Sequence, residues 1–594
     1  MRGDCLGACS SQYAAAYRVS MHGPFSFVMA PQRPELIPAS PGYKKLLLSC
    51  WNLALSFILS QEAATNSLYS DLFSISKHSL PARILYHIQI SRLFVSSIHS
   101  SFTMSPAKVI ASSPTTLESF PHIHDDPATL PHSLDPFTVT TSTGFLPYLT
   151  SPTILPDSFK PLMSLLDRLP VVRHDGTPGL LSTYELGQAV EEELPDLTDE
   201  VEKLVTVDGK LDLYTIMAVF RDYSFLASSY LLEPCWKNWC TDPESGYGLG
   251  REFLPKSVAR PLYRCGQILD IPPFMSYAAS YALFNYTLDD PSKGLVYSNL
   301  RLIRAFERGL DPRSSEAGFI LTHIDIVKDT PGLISGALQV IDTLQQDGSR
   351  SEVNDGFREI LASMEKIEAG MEDMWVNSKP SDYLSFRVFI FGITSQSMFP
   401  NGVVYDGVED NKPLYFRGES GANDSIIPLL DHLLQIPMPQ TPLTKILHEF
   451  RAYRPLPHRT FLAHIRAKAE ELGVRDFAVQ DTETAILFLR TLNHVRSFRW
   501  RHWLFAREYI IRRTPHLTAT GGSPIVTWLP NQLSAVMDMM ISIYDSVLAP
   551  CKAQGTAGYD GSRQKQVEPM MELVRDQKEK LAKEVEKWCK ERGV

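Results

Sequence analysis

The chain has 594 residues and a formal net charge of -10, and 44% of its residues are hydrophobic. This length allows more than one domain, and this apolar content allows a sizeable core. The acidic balance argues against a nucleic-acid-binding protein, whose domains usually carry a basic excess, although it does not exclude a local basic patch. The eight cysteines form no CxxC pair and no zinc-finger spacing. We therefore expect neither a disulfide framework nor structural zinc.

The N-terminal segment differs in composition from the rest of the chain. Residues 1–103 hold eight Lys/Arg against four Asp/Glu and are rich in Ser, as mitochondrial targeting segments are. The basic residues form no clear amphipathic repeat, however, and the apolar run 46–59 is shorter than the about 20 residues that span a bilayer. We favour a leader that is disordered or not part of the working protein, which then begins at Met104. We expect no stable membrane association and a cytoplasmic location.

Helical patterns dominate the sequence from residue 160 onward. Apolar residues recur at helical spacing between polar turns, and alternating strand patterns are scarce. We predict an all-α fold in which a smaller N-terminal helical domain packs on a larger C-terminal helical domain. The predicted divisions are an extended Pro/Ser/Thr-rich arm (104–160), the small domain (161–260), the large domain (261–565) and a C-terminal surface helix (566–594).

Three segments have distinct local predictions. The apolar segment 264–288 is expected to be a nearly continuous helix after a Pro-Pro break. Residues 398–425 and 514–530 are expected to be ordered loops, and long loops in compact helical domains are usually functional or disordered. Their glycines match neither GxGxxG nor the P-loop. They suit places where the backbone approaches a flat ligand closely.

A histidine interrupts an apolar stripe in the predicted helix 490–513. At helical spacing one stripe holds Val495, Phe498, His502, Phe505 and Tyr509. A buried neutral histidine needs partners for both ring nitrogens, and a metal can be one of them. His502 is therefore either a haem axial ligand or a hydrogen-bonded core histidine, and periodicity alone favours the core histidine.

The other faces of the same helix are basic. Arg496, Arg499, Arg507 and Arg512 lie on or beside them, where we expect solvent. In the haem interpretation nearby arginines would pair with the propionates. A non-enzymatic alternative is a helical protein that uses this Arg/Trp-rich helix to bind nucleic acid or a partner. That alternative predicts no haem uptake and salt-sensitive binding.

Two further polar residues interrupt apolar runs. His323 in "GFILTHIDIV" is, taken alone, more typical of a structural histidine. Arg387 in "SDYLSFRVFIFGI" must meet an anion if it is buried, because an unpaired buried charge is very costly. Its partner is either an internal carboxylate or the carboxylate of a substrate held in a bidentate fork. No GxSxG elbow or reactive-cysteine context supports a catalytic triad.

Several motifs are more specific together than separately. Their order along the chain is "PPFMSYAAS", "GFILTH", the interrupting arginine, "GESGANDS", "RAYRPLPHRTFL", "VRSFRWRHWLFAREYI" and "TGGS". This order resembles the indoleamine 2,3-dioxygenase family, particularly its fungal members, over roughly Lys160 to Met540. The resemblance implies a haem b (iron) enzyme that uses O2 and a reductant to convert L-tryptophan to N-formylkynurenine. That reaction opens the kynurenine pathway of tryptophan catabolism and NAD biosynthesis. A monomer that binds no nucleic acid is expected.

The resemblance assigns three residues to the proximal side of the haem. His502 matches the ligand of the iron, and Arg499 matches an arginine that supports the haem. Asp431 matches the acidic partner, which would orient the proximal group and tune the iron through hydrogen bonds.

The resemblance also assigns catalytic and substrate-binding residues on the distal side. Arg387 would hold the substrate carboxylate, and Thr520 would lie on a mobile loop and help to hold the ammonium group. Ser420 and Gly421 belong to a small-residue loop over the haem edge. His323, which replaces a serine of mammalian relatives, would accept the indole N–H hydrogen bond. The remaining pocket residues are Tyr277, Ser280, Phe319 and Tyr383.

One position departs from the family pattern. An aromatic pair usually precedes the buried arginine, and here Asp382 and Tyr383 stand in its place. The carboxylate predicts weaker indole binding. A divergent haem-binding paralogue, with weak tryptophan turnover or another indole substrate, is therefore the alternative.

Overall fold

A computed structural model describes residues 20–21, 27–28, 130, 134–205, 211–438, 442–516, 518–555 and 559–592. The chain divides into two compact units, Met1–Met104 and Ser105–Val594. In the first unit the described residues are the antiparallel strands Ser20–Met21 and Phe27–Val28. The prediction that residues 1–103 form a leader otherwise lies outside the described residues.

Helices make up most of the second unit, which confirms the all-α fold. Its α-helices are Lys160–Arg168, Leu180–Thr183, Leu186–Glu193, Thr198–Val205, Leu213–Thr241, Lys256–Leu269, Ser315–Val327, Pro331–Gln345, Arg350–Glu372, Met374–Asn377, Tyr383–Arg387, Ile426–Leu433, Pro442–Arg451, Leu456–Leu472, Val474–Ala478, Thr482–Phe505, Ile525–Ile543, Ala549–Gln554 and Gly561–Arg592. Its π-helical segments are Tyr277–Tyr281, Ala506–Ile511 and Tyr544–Leu548. The predicted division into arm, small domain and large domain stays a prediction.

Short strands supplement the helices of this unit. Phe253–Leu254 runs parallel to Val403–Tyr405, which is antiparallel to Pro413–Leu414. A separate antiparallel pair joins Tyr286–Leu288 to Leu300–Leu302. The predicted loop 398–425 therefore carries two strands, and the predicted loop 514–530 ends inside a helix.

The helix Leu213–Thr241 crosses the core and is buried on nearly all faces. It carries two opposite charges into the core. Arg221 Nε donates to Asp222 Oδ1 at 2.8 Å, and Arg304 Nη2 donates to Asp222 Oδ2 at 2.7 Å. Since each charge has a partner, the burial is tolerated, and the cluster ties this helix to the segment after strand Leu300–Leu302.

The prediction of a nearly continuous helix over 264–288 is wrong. The helix Lys256–Leu269 is capped by Asp270, which has a left-handed φ of 53°, and a π-helical turn and a strand follow the prolines. Ser276 Oγ accepts from the Ala279 amide at 3.0 Å, so a side chain supplies a hydrogen bond that a continuous helix would make from its backbone. An apolar run that is buried on every side has no periodicity to separate helix from irregular backbone.

The helix Thr482–Phe505, which we call the histidine helix, is held on several sides. Its N-cap Asp481 accepts from the Thr484 amide at 3.0 Å. It packs on the helices Arg350–Glu372, Ile525–Ile543 and Gly561–Arg592. Both the cap and the packing fix where each face of the helix points.

The expectation that solvent covers the basic faces of the predicted helix 490–513 is wrong for most of the four arginines named for it. Arg496 is 4% exposed, and Arg507 Nη1 donates to Glu584 at 2.9 Å. Arg512, with 54% of its side chain exposed, fits the expectation. The cause is the C-terminal helix Gly561–Arg592, which places Glu584 against the histidine helix, where it accepts from Trp503. This helix begins before the predicted residue 566, and its Val567 is buried rather than at the surface.

One helical stretch is long and apolar enough to cross a membrane by length and composition alone. It runs over Ile525–Gln554, and 44% of its most apolar window is buried inside the protein. Because core helices of globular proteins meet the same criteria, this is weak evidence for a membrane span.

Candidate functional site

His502 lies in the last turn of the histidine helix and is half-buried. Across the described part of the chain, no residue makes a hydrogen bond with either ring nitrogen. Burial and the nearby charge of His323 lower the pKa of His502 to about 4. The imidazole is therefore neutral at physiological pH and keeps a lone pair that a metal can use.

The apolar stripe around His502 is incompletely covered. Val495 and Tyr509, at its two ends, are buried, whereas Phe498, His502 and Phe505 are half-buried. An apolar surface with a free neutral imidazole at its centre is what a flat, iron-containing macrocycle requires. These residues therefore fit a haem.

Aromatic side chains gather next to this stripe, where the ring centroids of Tyr383 and Tyr509 lie 5.6 Å apart. Phe319 and His323 come from the helix Ser315–Val327, with ring centroids 4.8 Å apart. Tyr277 lies 5.7 Å from His323, and Tyr383 lies 5.5 Å from Phe319. We call these four residues the aromatic cluster. Ser280, also predicted for the pocket, is buried and uses its hydroxyl within its own turn, donating to the Ser276 carbonyl at 2.9 Å.

The hydrogen bond of His323 fixes its tautomer. Nδ1 lies 2.8 Å from the Phe319 carbonyl oxygen, which can only accept, so Nδ1 carries the proton. Burial lowers the pKa of His323, which keeps the ring neutral. Nε2 is then an acceptor inside the aromatic cluster.

Arg387 is fully buried at the end of the helix Tyr383–Arg387. Nη2 donates to the Thr518 carbonyl at 2.9 Å, the guanidinium carbon lies 4.5 Å from the Phe391 ring centroid, and Nε has no partner. No carboxylate among the residues described pairs with it, so the internal salt bridge considered from the sequence is not found there. A guanidinium stays charged in proteins, and this one therefore lacks an anion.

Asp382, the departure from the family pattern, is held by hydroxyl groups. Its carboxylate accepts from Ser315 and from Ser381, each at 2.7 Å. Burial opposes ionisation, but these hydrogen bonds outweigh it and lower the pKa of Asp382. The negative charge is thus stabilised by these two hydroxyl groups, and the predicted weakening of indole binding stays a prediction.

The two predicted glycine loops meet beside the site. Thr520 Oγ1 donates to the Glu419 carbonyl at 2.6 Å. Ser420 Oγ accepts from the Ala422 amide at 3.3 Å and starts the short turn Gly421–Asn423. A Cβ on Gly418 would lie 2.6 Å from the Thr520 carbonyl oxygen, so only glycine allows this approach of the two loops.

Glu419 is a residue of this site that the sequence interpretation missed. It is 4% exposed, and no described residue forms a hydrogen bond or ion pair with its carboxyl group. Burial raises the pKa of Glu419 to about 8. A single glutamate in a glycine-rich loop gives no sequence signal of burial, since such residues usually face solvent.

The raised pKa of Glu419 predicts a pH-dependent loss of stability. The folded state holds this proton more tightly than the unfolded state, whose reference pKa is 4.5, so the free energy of unfolding falls as pH rises from 4.5 to about 8. We expect Glu419→Gln to raise the Tm at pH 8.5 and to change it little at pH 4.5. Calorimetry of both proteins without substrate measures this. Since Glu316 has a similarly raised pKa, only the difference between the proteins is informative.

Asp431 reaches the histidine helix through Arg499. Arg499 Nη2 donates to both carboxylate oxygens, at 2.9 and 2.7 Å, and Nη1 donates to the Gln532 carbonyl at 3.2 Å. Burial raises the pKa of Asp431, with Arg499 and Arg454 opposing the shift. The predicted acidic partner therefore orients Arg499, and through it the face that carries His502.

Removing this carboxylate is expected to be costly. Asp431→Ala leaves Arg499 unpaired at a site where the two side chains are 15% and 12% exposed, and breaking a buried pair costs about 3–5 kcal/mol. Denaturant unfolding measures the loss. Glu470→Ala is the matched control, because its pair with Arg466 is 57% and 50% exposed and such pairs contribute about 0–1 kcal/mol. Equal losses in the two variants would contradict the structural role of Asp431.

Two clefts elsewhere on the protein are not lined by the residues of this site. They have volumes of about 470 and 360 Å³ and lie around Arg260 and Tyr263 and around Arg173 and Arg304. Within the described ranges, no group of three or more His, Cys, Asp or Glu side chains could hold a bare metal ion.

Comparisons with known proteins identify relatives of this chain. A family model described as indoleamine 2,3-dioxygenase matches residues 133–545. The indoleamine 2,3-dioxygenase of Saccharomyces cerevisiae is 27% identical over 376 residues, covering 58% of this chain and 77% of the relative. Indoleamine 2,3-dioxygenase 1 of Mus musculus is 24% identical, covering 60% and 80%. A 6-hydroxytryptophan 2,3-dioxygenase of Fusarium equiseti is 24% identical, covering 56% and 74%.

Proposed function

Because the chain belongs to the indoleamine 2,3-dioxygenase family, whose members are haem-dependent dioxygenases, we propose that it converts L-tryptophan to N-formylkynurenine. Both atoms of O2 are inserted across the indole C2–C3 bond, which begins tryptophan breakdown along the kynurenine route towards NAD. The observation that carries this substrate is Arg387, a buried cation beside an aromatic cluster with no carboxylate partner among the described residues.

His502 is the residue that would hold the haem. Its neutral imidazole is free of protein partners in the described chain and lies among half-buried phenylalanines. When bound, the haem supplies the iron at which O2 is activated. The Asp431–Arg499 pair fixes the helix face that presents the imidazole.

The distal residues position the amino acid. Arg387 pairs with the carboxylate through its fork of N–H donors. His323 Nε2 accepts the indole N–H, because Nδ1 already donates to the Phe319 carbonyl. The Thr520 hydroxyl donates a hydrogen bond to the Glu419 carbonyl, so its oxygen lone pairs are left to accept a hydrogen bond from the substrate ammonium group. These contacts fix the indole relative to the iron side, and no strong general base is required.

The loops that carry Ser420, Gly421 and Thr520 limit access of water. They approach to backbone contact, because a Cβ on Gly418 would lie 2.6 Å from the Thr520 carbonyl oxygen, and Thr520 Oγ1 donates to the Glu419 carbonyl at 2.6 Å. A site closed in this way excludes bulk water and so prevents side reactions of reactive intermediates. We further propose that the enzyme takes electrons from a reductant in the cytoplasm and acts as a monomer.

Steady-state turnover tests the substrate. The haem-loaded protein is given L-tryptophan with ascorbate and methylene blue, and N-formylkynurenine is measured. We expect kcat/KM for L-tryptophan to exceed that for 6-hydroxy-L-tryptophan. The second candidate, a paralogue for another indole, rests on Asp382 and on the similarity to the Fusarium enzyme. The reverse preference would support that candidate and contradict tryptophan as the substrate.

A further inference from the structure

Glu419 is a buried acid whose carboxyl group has no role in the reaction proposed above. Its residue is 4% exposed, and among the described residues its carboxyl group has neither a hydrogen bond nor an ion pair. Burying such a group without a partner is unfavourable. A partner supplied by a ligand would offset that cost.

The position of Glu419 places it at the substrate site. Its own carbonyl accepts from the Thr520 hydroxyl at 2.6 Å. Its charge also acts on two members of the aromatic cluster. Burial raises the pKa of Tyr277 and of Tyr383, and the Glu419 carboxylate adds to both shifts.

Arg387 acts on the same phenol with the opposite sign. It opposes the rise in the pKa of Tyr383, while Glu419 adds to it. The two residues form no ion pair with each other in the described structure. A cation and an acid near one phenol, with no ion pair between them, can each bind one end of a ligand that carries both charges.

We propose that Glu419 binds the α-ammonium group of the substrate while Arg387 binds its carboxylate, so that the two residues recognise the amino acid as a zwitterion. This inference rests on the proposed function and names a subsite within the same site. The ammonium group donates to the Glu419 carboxylate and to Thr520 Oγ1, whose own proton is directed to the Glu419 carbonyl. Glu419 must ionise when the ammonium group binds, and its proton is released to solvent.

Affinities for paired ligands test this assignment. The probes are L-tryptophan and indole-3-propionate, which lacks the ammonium group, and Kd is measured from the Soret change of the ferric haem-loaded protein. We expect Glu419→Gln to weaken L-tryptophan about 10- to 100-fold, the range of one charge-assisted hydrogen bond. Its Kd for indole-3-propionate should stay within about twofold of the wild-type value. Glu470→Gln, an exposed residue paired with Arg466, is the matched control and should change neither Kd.

Calorimetric titration supplies a second measurement. Because burial raises the pKa of Glu419 to about 8, the wild type should release close to one proton per L-tryptophan at pH 7, seen as a dependence of the binding heat on the buffer. Glu419→Gln should release none. Tyr277, Tyr281 and Tyr383 are the other titratable groups near this carboxyl, and their raised pKa values keep them protonated at pH 7.

Equal weakening of both ligands, unchanged binding of both, or no binding of L-tryptophan by the wild type would overturn the ammonium subsite. The proposed function fails differently. A wild type that binds L-tryptophan through Glu419 but forms no N-formylkynurenine would leave the subsite in place and refute the reaction. A wild type that forms N-formylkynurenine, with an affinity for L-tryptophan that does not depend on Glu419, would support the reaction and refute the subsite.

Discussion

His502→Ala is expected to lose haem, so that the purified variant shows almost no Soret absorption and no dioxygenase activity. His502 is the half-buried imidazole at the centre of the uncovered stripe, and burial lowers its pKa to about 4, which keeps its lone pair free for iron. Alanine removes the imidazole nitrogen that would bind the iron. Haem content per protein, from the absorption spectrum and an independent iron assay, measures the effect.

A second histidine on the same helix is the control. His494 lies two turns earlier, and its Nδ1 is 2.7 Å from Glu368 Oε1, so it already has a partner. His494→Ala should keep a haem content close to that of the wild type. A His502→Ala protein that folds and binds haem as the wild type does would show that His502 is a core histidine and not the haem ligand.

Arg387→Ala is expected to weaken L-tryptophan binding by roughly 30- to 5,000-fold, which corresponds to about 2–5 kcal/mol for one member of a buried charge pair. The guanidinium is fully buried and has an unpartnered Nε. Without it, the carboxylate of the substrate would be buried unpaired. The Kd from the ferric Soret change, and KM under turnover, measure the loss.

Tryptamine distinguishes carboxylate binding from a general disturbance of the site. It keeps the indole and the ammonium group but has no carboxylate, so its Kd should change by less than about threefold. This comparison matters because Arg387 also donates to the Thr518 carbonyl at 2.9 Å and so helps to hold the loop. Equal losses for tryptophan and tryptamine would show that Arg387 acts only through the loop. Arg387→Lys should restore part of the affinity as a point charge.

Helix periodicity predicted the elements that carry the site but not how they are covered. The histidine helix and the helices Pro331–Gln345, Arg350–Glu372 and Leu456–Leu472 follow the expected patterns closely. The basic faces of the predicted helix 490–513 were expected in solvent, yet Arg496 and Arg507 donate to Gln577 and Glu584 of the C-terminal helix. Which distant carboxylate will meet an arginine depends on tertiary packing, and a local pattern does not encode it.

The apolar segment around Tyr277 shows a second reason why prediction fails. Its residues are buried on every side, so the sequence has neither a period of two nor a period of 3.6, and the expected helix is replaced by a π-helical turn and a strand. The motif resemblance assigned Tyr277 and His323 to one pocket, and their ring centroids lie 5.7 Å apart. The motifs carried spatial information that local propensity lacked.

The site residues differ in how clearly the sequence marks them as functional. His502 and Arg387 stand out because a polar residue interrupts an apolar run. Among the residues described, the ring nitrogens of His502 have no hydrogen bond and Arg387 has no carboxylate partner. Glu419 has no such contrast in "GESGAND", because its neighbours are small and polar. Its burial comes from the contact between two loops about a hundred residues apart, which the sequence does not reveal.

Isotope incorporation tests the central claim most directly. Haem-loaded protein is given L-tryptophan and ¹⁸O2 under reducing conditions, and the product mass is measured. A haem dioxygenase that acts on tryptophan should yield N-formylkynurenine carrying two ¹⁸O atoms from one O2. A product with a single ¹⁸O atom, or tryptophan left unchanged by a haem-containing protein, would contradict the account.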